Sequence, residues 1–421
     1  MFTWYRETTG QVRRVFWTCA FGWGLDAVDG LVYQYLIPVL MSALGLTLVQ
    51  AGAIASTNYF ASAAGGLIGG WLCDRYGRAR ILQLTILWFS AFACLSGFAH
   101  DFNQLLILRT LQGLGFGAEW AVGAVLLGEM ITPKYRGRAL GAVQSAAAVG
   151  SGVAALLAGP VVAHLPAEWG WRAIFWMGAL PAILIFFIRR SDDESQLYLA
   201  AKQRRAEGAV AAPRPNIFGP GLIWITLAAA LLAVGAQGAG FVVSNYLTTF
   251  LRTERGLSGS LAGVYVLLNS AGGFVGFFIN AWIGDRFGRR ATFRLFAVGF
   301  VLAVAVYLCA PLPTWALPYA GFVYGGFQFG IYASFAPYFS ELFPTEARGT
   351  GQAFSYNAGR AMSFIFIQGA AILAMHMRLS LGMALMGMAG VGVAFLATYL
   401  LPETVGRDLE TVGAPSASAA A

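Results

Sequence analysis

Gly70-Trp71-Leu72-Cys73-Asp74-Arg75-Tyr76-Gly77-Arg78 is the end of one apolar run, a charged turn and the start of the next. Its core, Asp74-Arg75-Tyr76-Gly77-Arg78, returns as Asp285-Arg286-Phe287-Gly288-Arg289, 211 residues later and half the chain away. A second turn repeats at almost the same offset. Pro133-Lys134-Tyr135-Arg136-Gly137 returns as Pro344-Thr345-Glu346-Ala347-Arg348-Gly349, with one residue inserted. Each copy follows the same apolar run within its half. Two parallel halves of six spans each are the pattern of two bundles that hold a site between them near the bilayer midplane.

Composition supports this reading along the whole length. Of 421 residues, 58% are apolar and 11% charged, against about 45–50% and about 25% in soluble domains. So few charges exclude a soluble enzyme, and the even spread of apolar runs excludes a single anchor. Each span needs about 20 residues. The runs predict twelve spans, at 15–40, 50–72, 80–99, 104–130, 138–163, 171–189, 221–247, 258–281, 291–311, 315–340, 348–375 and 378–401. The expected architecture is therefore all-α and integral to the membrane, twelve transmembrane helices in two six-helix lobes. Residues 1–190 form the first lobe and 221–402 the second. Residues 191–220 are a cytoplasmic linker with a short helix, opened by the Ser191/Glu194 capping box, and 403–421 are a cytoplasmic tail.

The basic residues set the orientation. With both termini on one side, 21 of the 27 Lys and Arg fall on that side, four on the other, and Arg109 and Arg360 inside spans. The positive-inside rule then places both termini in the cytoplasm. The formal charge of +8 is used up as topology, which leaves nucleic acid no binding surface. Cys19, Cys73, Cys94 and Cys309 lie in or beside apolar runs and form no CxxC, so they predict neither disulfide nor metal. His100, His164 and His376 fall at span ends. The first run lacks a small-residue cleavage site, so no removable signal is expected. No phosphate-cradling Gly-Lys-Ser/Thr motif exists, which excludes ATP-driven work. No cofactor is expected.

The 70–80 stretch resembles the loop 2–3 signature of the major facilitator superfamily, and Arg109-Thr110-Leu111-Gln112-Gly113-Leu114-Gly115 resembles its span 4 motif. Asp26-Ala27-Val28-Asp29 is similar to the D-G-x-D of aromatic-acid/proton symporters, with Ala27 in place of Gly. Gly117-Ala118-Glu119-Trp120 resembles the Gly-Gly-Glu-Trp of sialate-type and other metabolite/proton symporters, and Gly170-Trp171-Arg172 and Pro402-Glu403-Thr404-Val405-Gly406 also fit. The resemblance implies a monomeric secondary transporter of a bacterial inner membrane. It would take up a small organic anion together with protons by alternating access. Proton-coupled export of drugs or metabolites is the alternative, for which Gly150, Gly152 and Gly159-Pro160 of span 5 speak faintly. It also implies a conformational latch at the repeated loop: Gly70, Asp74, Arg75, Gly77 and Arg78, with Asp285, Arg286, Gly288 and Arg289.

Ionisable groups at the bilayer centre cost about 2.5–3.5 kcal/mol on insertion scales, so each is a functional candidate. Asp26, Asp29 and Tyr33 share one face of span 1; Arg109, Gln112, Phe116 and Glu119 share one face of span 4. Tyr356 and Arg360 share a face of span 11, with Asn357 beside them. Asp29, Asp26 and Glu119 are the proton-coupling candidates, and Glu119 and Asp29 are expected to lie close enough to share a proton. A nearby Arg would hold one of them as carboxylate. The 211-residue offset maps Asp29 to Gly240, Asp26 to Gln237, Arg109 to Ala320 and Glu119 to Gly330. The second half thus lacks the acid/Arg cluster and is expected to carry much of the substrate recognition. The substrate-binding candidates are Arg109, Arg360, Tyr33, Gln112, Gln237, Gln328, Tyr332, Tyr356 and Asn357. Glu129 and Glu341 are read as structural.

Overall fold

In a computed structural model, residues 5, 7–130, 143, 146–147, 149–154, 165–180, 182, 216–344 and 347–404 are described. The linker helix and most of span 5 lie outside them. Helices form at the other eleven predicted spans: α1 Gly10–Leu44, α2 Leu48–Tyr76, α3 Arg78–Ser96, α4 Phe102–Met130, α5 Ala167–Met177, α6 Ile223–Thr253, α7 Gly259–Phe287, α8 Arg289–Val304, α9 Leu317–Gly330 with α10 Phe335–Leu342, α11 Arg348–Leu373 and α12 Leu379–Leu400. No strand occurs among the described residues. Six of these stretches are long and apolar enough to cross a membrane by themselves. The others are shortened, broken or made more polar by the residues discussed below.

The repeat seen in sequence is written into the backbone. Gly45 and Gly256 adopt φ of 64° and 65°, Gly77 and Gly288 of 107° and 99°. Each pair is 211 residues apart. Positive φ is open to glycine at no steric cost, so the same turns close the same helices in both halves. Thr47 caps α2 by accepting from Gln50 N, with the reciprocal Gln50 bond completing a capping box; Ser258, again 211 residues on, caps α7 by accepting from Leu261 N. These turns define two faces of the molecule, one carrying Gly45 and Gly256, the other Gly77 and Gly288.

Packing follows the repeat as well. α2 lies against α4, and α7 against α9. A Cβ at Gly65 would strike the Leu114 carbonyl, and one at Gly276 the Gly326 carbonyl. Asn58 and Asn269, a further pair at the same offset, donate to the backbone of α4 (Arg109 O, 2.6 Å) and α9 (Gly321 O, 3.0 Å). The lobes meet where α2 packs along α11 and α1 along α6.

Two departures from uniform helices occur in the second lobe. Span 9 ends in a π turn, Ala305–Cys309, and span 10 is interrupted by a 3₁₀ turn, Ile331–Ser334. Pro337 explains the second: it has no N–H to give the Ala333 carbonyl, and its ring crowds that turn.

The distribution of polarity is that of a protein surrounded by lipid. Trp282, Leu302, Leu396 and Trp224 are exposed, whereas Asp29, Arg109, Gln112, Glu119, Gln237 and Arg360 are buried.

Candidate functional site

Asp29 and Arg109 form an ion pair in the first lobe, at 3.0 Å between Oδ2 and Nη1. Gln112, one turn along α4, donates to the same oxygen. Asp29 is 7% and Arg109 3% exposed. The Arg109 guanidinium lies 5.0 Å from the Tyr33 ring centre and 5.5 Å from that of Phe175. Tyr33 itself donates to Ala51 O at 2.8 Å, which pins α1 to α2. Arg109 Nε and Gln112 Oε1 are buried without a hydrogen-bond partner. The centre therefore holds one carboxylate between two donors and keeps polar capacity in reserve.

Glu119 sits elsewhere. It is 4% exposed, and its Oε1 abuts Gly22, where any side chain would displace it. Gly22 is seven residues from Asp29, about 10 Å along a helix. The expected sharing of a proton between Glu119 and Asp29 is thus not the observed arrangement. The antiparallel run of α1 and α4 matches Asp29 to Arg109 and moves Glu119 two turns down α1. Asp26 lies in α1 between them; its side chain is outside the described residues.

Arg360, on α11, crosses the seam. Its Nη1 donates to Ser62 Oγ of α2 at 3.2 Å, and its guanidinium faces Phe116 of α4 at 5.1 Å and Tyr356 at 5.6 Å. It is 4% exposed, and its Nε has no acceptor. Of the three buried arginines among the described residues, Arg109 and Arg289 have carboxylate partners; Arg360 has none.

Around it stand the other second-lobe candidates. Gln237 donates to Tyr356 O at 2.9 Å and leaves Oε1 unpartnered. Asn357 donates to Ala353 O and lies beside Gly66 of α2. Gln328 donates to Gly240 O at 3.0 Å and to Ser244 Oγ. Tyr332 packs its hydroxyl on Gly240 with no hydrogen-bond partner. Gly240 and Ser244 occupy the places that Asp29 and Tyr33 hold in the first half. Span 10 thus reaches span 7 as span 4 reaches span 1, but meets a carbonyl and a hydroxyl instead of a carboxylate.

Several residues at the seam escaped the sequence reading. Tyr59 of α2 stacks on Phe241 of α6 with ring centres 4.6 Å apart and planes 6° from parallel, and Gln34 donates to the Tyr59 hydroxyl at 3.1 Å. Ser62 and Phe241 carry no motif. Asn58 had a signal in its offset partner Asn269.

At the repeated loop, the second copy is tied within its own lobe. Arg289 forms a forked pair with Glu341 (Nη2–Oε1 2.9 Å, Nε–Oε2 3.2 Å). Glu403 accepts from the backbone N–H of Arg289 and Arg290 at 2.8 and 3.1 Å, capping α8. Thr404 donates to Glu341 at 2.6 Å. Arg286 is exposed over Trp282 and Phe287. Gly70 has open space around it. The side chains of Asp74, Arg75, Arg78 and Asp285 lie outside the described residues. No group of three or more His, Cys, Asp or Glu that could hold a metal occurs among the described residues.

Two parallel helical lobes, with a buried ion pair inside the first and a buried arginine reaching across the seam from the second, define a membrane transporter. The chain belongs to the Major Facilitator Superfamily, whose profile matches residues 18–367. It is 38% identical over 98% of its length, and 96% of the relative's, to a Cupriavidus pinatubonensis protein named "Probable 4-methylmuconolactone transporter". It is 30% identical to the "Cis,cis-muconate transport protein" of Acinetobacter baylyi, over 87% of this chain and 88% of that one. Among solved structures, a D-xylose-proton symporter superposes with a TM-score of 0.77 at 19% identity, covering 95% of this chain and 100% of that one. Family and relatives are transporters, and the chain is a transporter, not an enzyme.

Proposed function

We propose that the protein is a proton-coupled symporter that takes up a small organic carboxylate. It acts as a monomer in a bacterial inner membrane with both termini in the cytoplasm. The observation that carries this reading is Arg360, a buried guanidinium with no carboxylate of its own. Leaving a charge without counter-ion in a low-dielectric site is costly, and a guanidinium presents a fork that fits a carboxylate. An anion from outside satisfies it. Phe116 and Tyr356, whose faces flank the guanidinium, suit flat, conjugated acids. The relative named for muconate points to the same chemistry.

Proton coupling rests on the Asp29–Arg109 pair. A substrate carboxylate that draws on Arg109 leaves Asp29 without its counter-charge. Protonation of Asp29 then restores neutrality, so anion and proton travel together. Gln112 and Tyr33 position this pair; Gln237, Gln328, Tyr332, Tyr356 and Asn357 complete the substrate side. Asp26 on α1 and Glu119 on α4 are further proton sites. The repeated loops act as the latch between states.

The test is uptake by proteoliposomes under an imposed pH gradient, with muconate, gallate and a methylmuconolactone beside their uncharged amides. Accumulation of at least one acid, abolished by a protonophore, is expected. Accumulation that ignores the gradient, or that is equal for acid and amide, sinks the proposal.

A further inference from the structure

On the lipid-facing surface of the second lobe, α8 and α12 part to leave a groove of about 280 Å³. Its walls are apolar only, among them Val298, Val301 and Leu302 of α8 and Gly392 and Phe395 of α12. Val298 and Leu302 are 50% and 63% exposed, so the groove opens toward the surrounding acyl chains. On α8, Arg294 precedes Val298 and Val301 at helical spacing i, i+4, i+7, and on α12 Gly392, Phe395 and Tyr399 follow i, i+3, i+7. The groove therefore leads straight to Arg294 and Tyr399 at the face that carries Gly288.

The chemistry at that end is unbalanced. The Arg294 guanidinium lies 3.8 Å from the Tyr399 ring centre. Its Nε donates to Thr398 Oγ1 at 2.9 Å, and Arg290 Nε donates to Thr398 O at 2.8 Å. Among the described residues, the Nη nitrogens of both arginines lack a protein acceptor, and Arg294 Nη2 is buried. Among the described residues the nearby carboxylates are engaged: Glu341 with Arg289 and Thr404, Glu403 with the start of α8. Two guanidiniums with no counter-ion among the described residues thus sit beside a ring that is 57% exposed, at the depth where tyrosines meet lipid headgroups. Below them is a slot shaped for a hydrocarbon tail.

We infer that this groove binds one anionic glycerophospholipid, with its phosphate on Arg294 and Arg290 and an acyl chain between α8 and α12. Charge complementarity selects the anionic headgroup, because a zwitterionic one brings its own cation to an already positive site. The apolar slot selects a lipid over free phosphate. Occupancy would brace α8 against α12 next to the loop that Glu403 and Glu341 hold.

Native mass spectrometry of the full chain in detergent tests this, with phosphatidylglycerol and phosphatidylcholine of matched acyl chains and with inorganic phosphate as competitor. The wild type is expected to retain phosphatidylglycerol in preference to phosphatidylcholine, without displacement by millimolar phosphate. Arg294→Ala removes charge-assisted bonds, so retention should fall about tenfold; Arg294→Lys should keep most of it. Gly392→Leu should also lower retention: a Cβ there meets no atom within 4 Å, so the new side chain enters open groove space rather than the packed core. Equal retention of both lipids overturns the inference. So does displacement by phosphate, or unchanged retention in Gly392→Leu and Arg294→Ala together.

Discussion

At the scale of single residues, the buried arginines Arg109 and Arg360 differ in what surrounds them. Arg109 has Asp29; Arg360 has a hydroxyl and two rings. Arg360→Gln should weaken carboxylate binding by about 1.5–3 kcal/mol, the worth of a charge-assisted bond, while binding of the uncharged amide changes little. Isothermal titration of acid and amide against both proteins measures this; an equal loss for the two would remove Arg360 from anion recognition. Asp29→Asn keeps an acceptor for Gln112 but cannot load a proton. Gradient-driven accumulation should vanish while exchange of preloaded substrate persists in part, and wild-type accumulation would exclude Asp29 as the coupling acid. Sequence alone made Asp29, Arg109, Arg360 and Glu119 legible, since ionisable groups inside apolar runs stand out. It did not give their pairing. Helix faces fix which residues are neighbours on one helix, whereas the stagger between α1 and α4 is set by packing at glycines such as Gly22.

At the scale of elements, the helix ends were readable because caps and turns are local. The glycines of the repeated loop act within four residues of themselves; the Thr47–Gln50 box is as local, yet escaped the sequence reading. The break in span 10 does not show in hydropathy, which is blind to a missing N–H; its signal is Pro337, which escaped the sequence reading. Close helix packing was half readable: glycine-rich spans announce it, but not which glycine touches which carbonyl. Gly65→Val and Gly276→Val should each lower stability by about 1–3 kcal/mol or more, through forced overpacking. Gly70→Val, with nothing within 4 Å of its Cβ, should cost far less. Thermal unfolding of the purified variants decides, and equal loss at Gly70 and Gly65 would contradict the packing account.

For the whole molecule, the repeat predicted two parallel lobes, and the 211-residue register holds down to backbone dihedrals. The seam itself carried no motif. On the face of Gly45 and Gly256 it is closed: Gln368 donates to Val49 O at 3.3 Å, and Tyr246 fills the space above Gly52. Cysteines placed at Val49 and Gln368, in a chain with its four native cysteines replaced, should be bridged by a short bis-methanethiosulfonate, which forms a disulfide at each end. Uptake should then stop and return when a cleavable bridge is reduced; full uptake by the bridged protein would show that this contact need not open. The ion pair in the first lobe has one more consequence, for biosynthesis. Asp29 and Arg109 are 80 residues apart in the chain. At about 5–20 residues per second, Asp29 waits roughly 4–16 s in the nascent membrane segment before its arginine exists. A lone carboxylate there is expensive, so the first helix sits least comfortably in the bilayer until the fourth delivers the guanidinium.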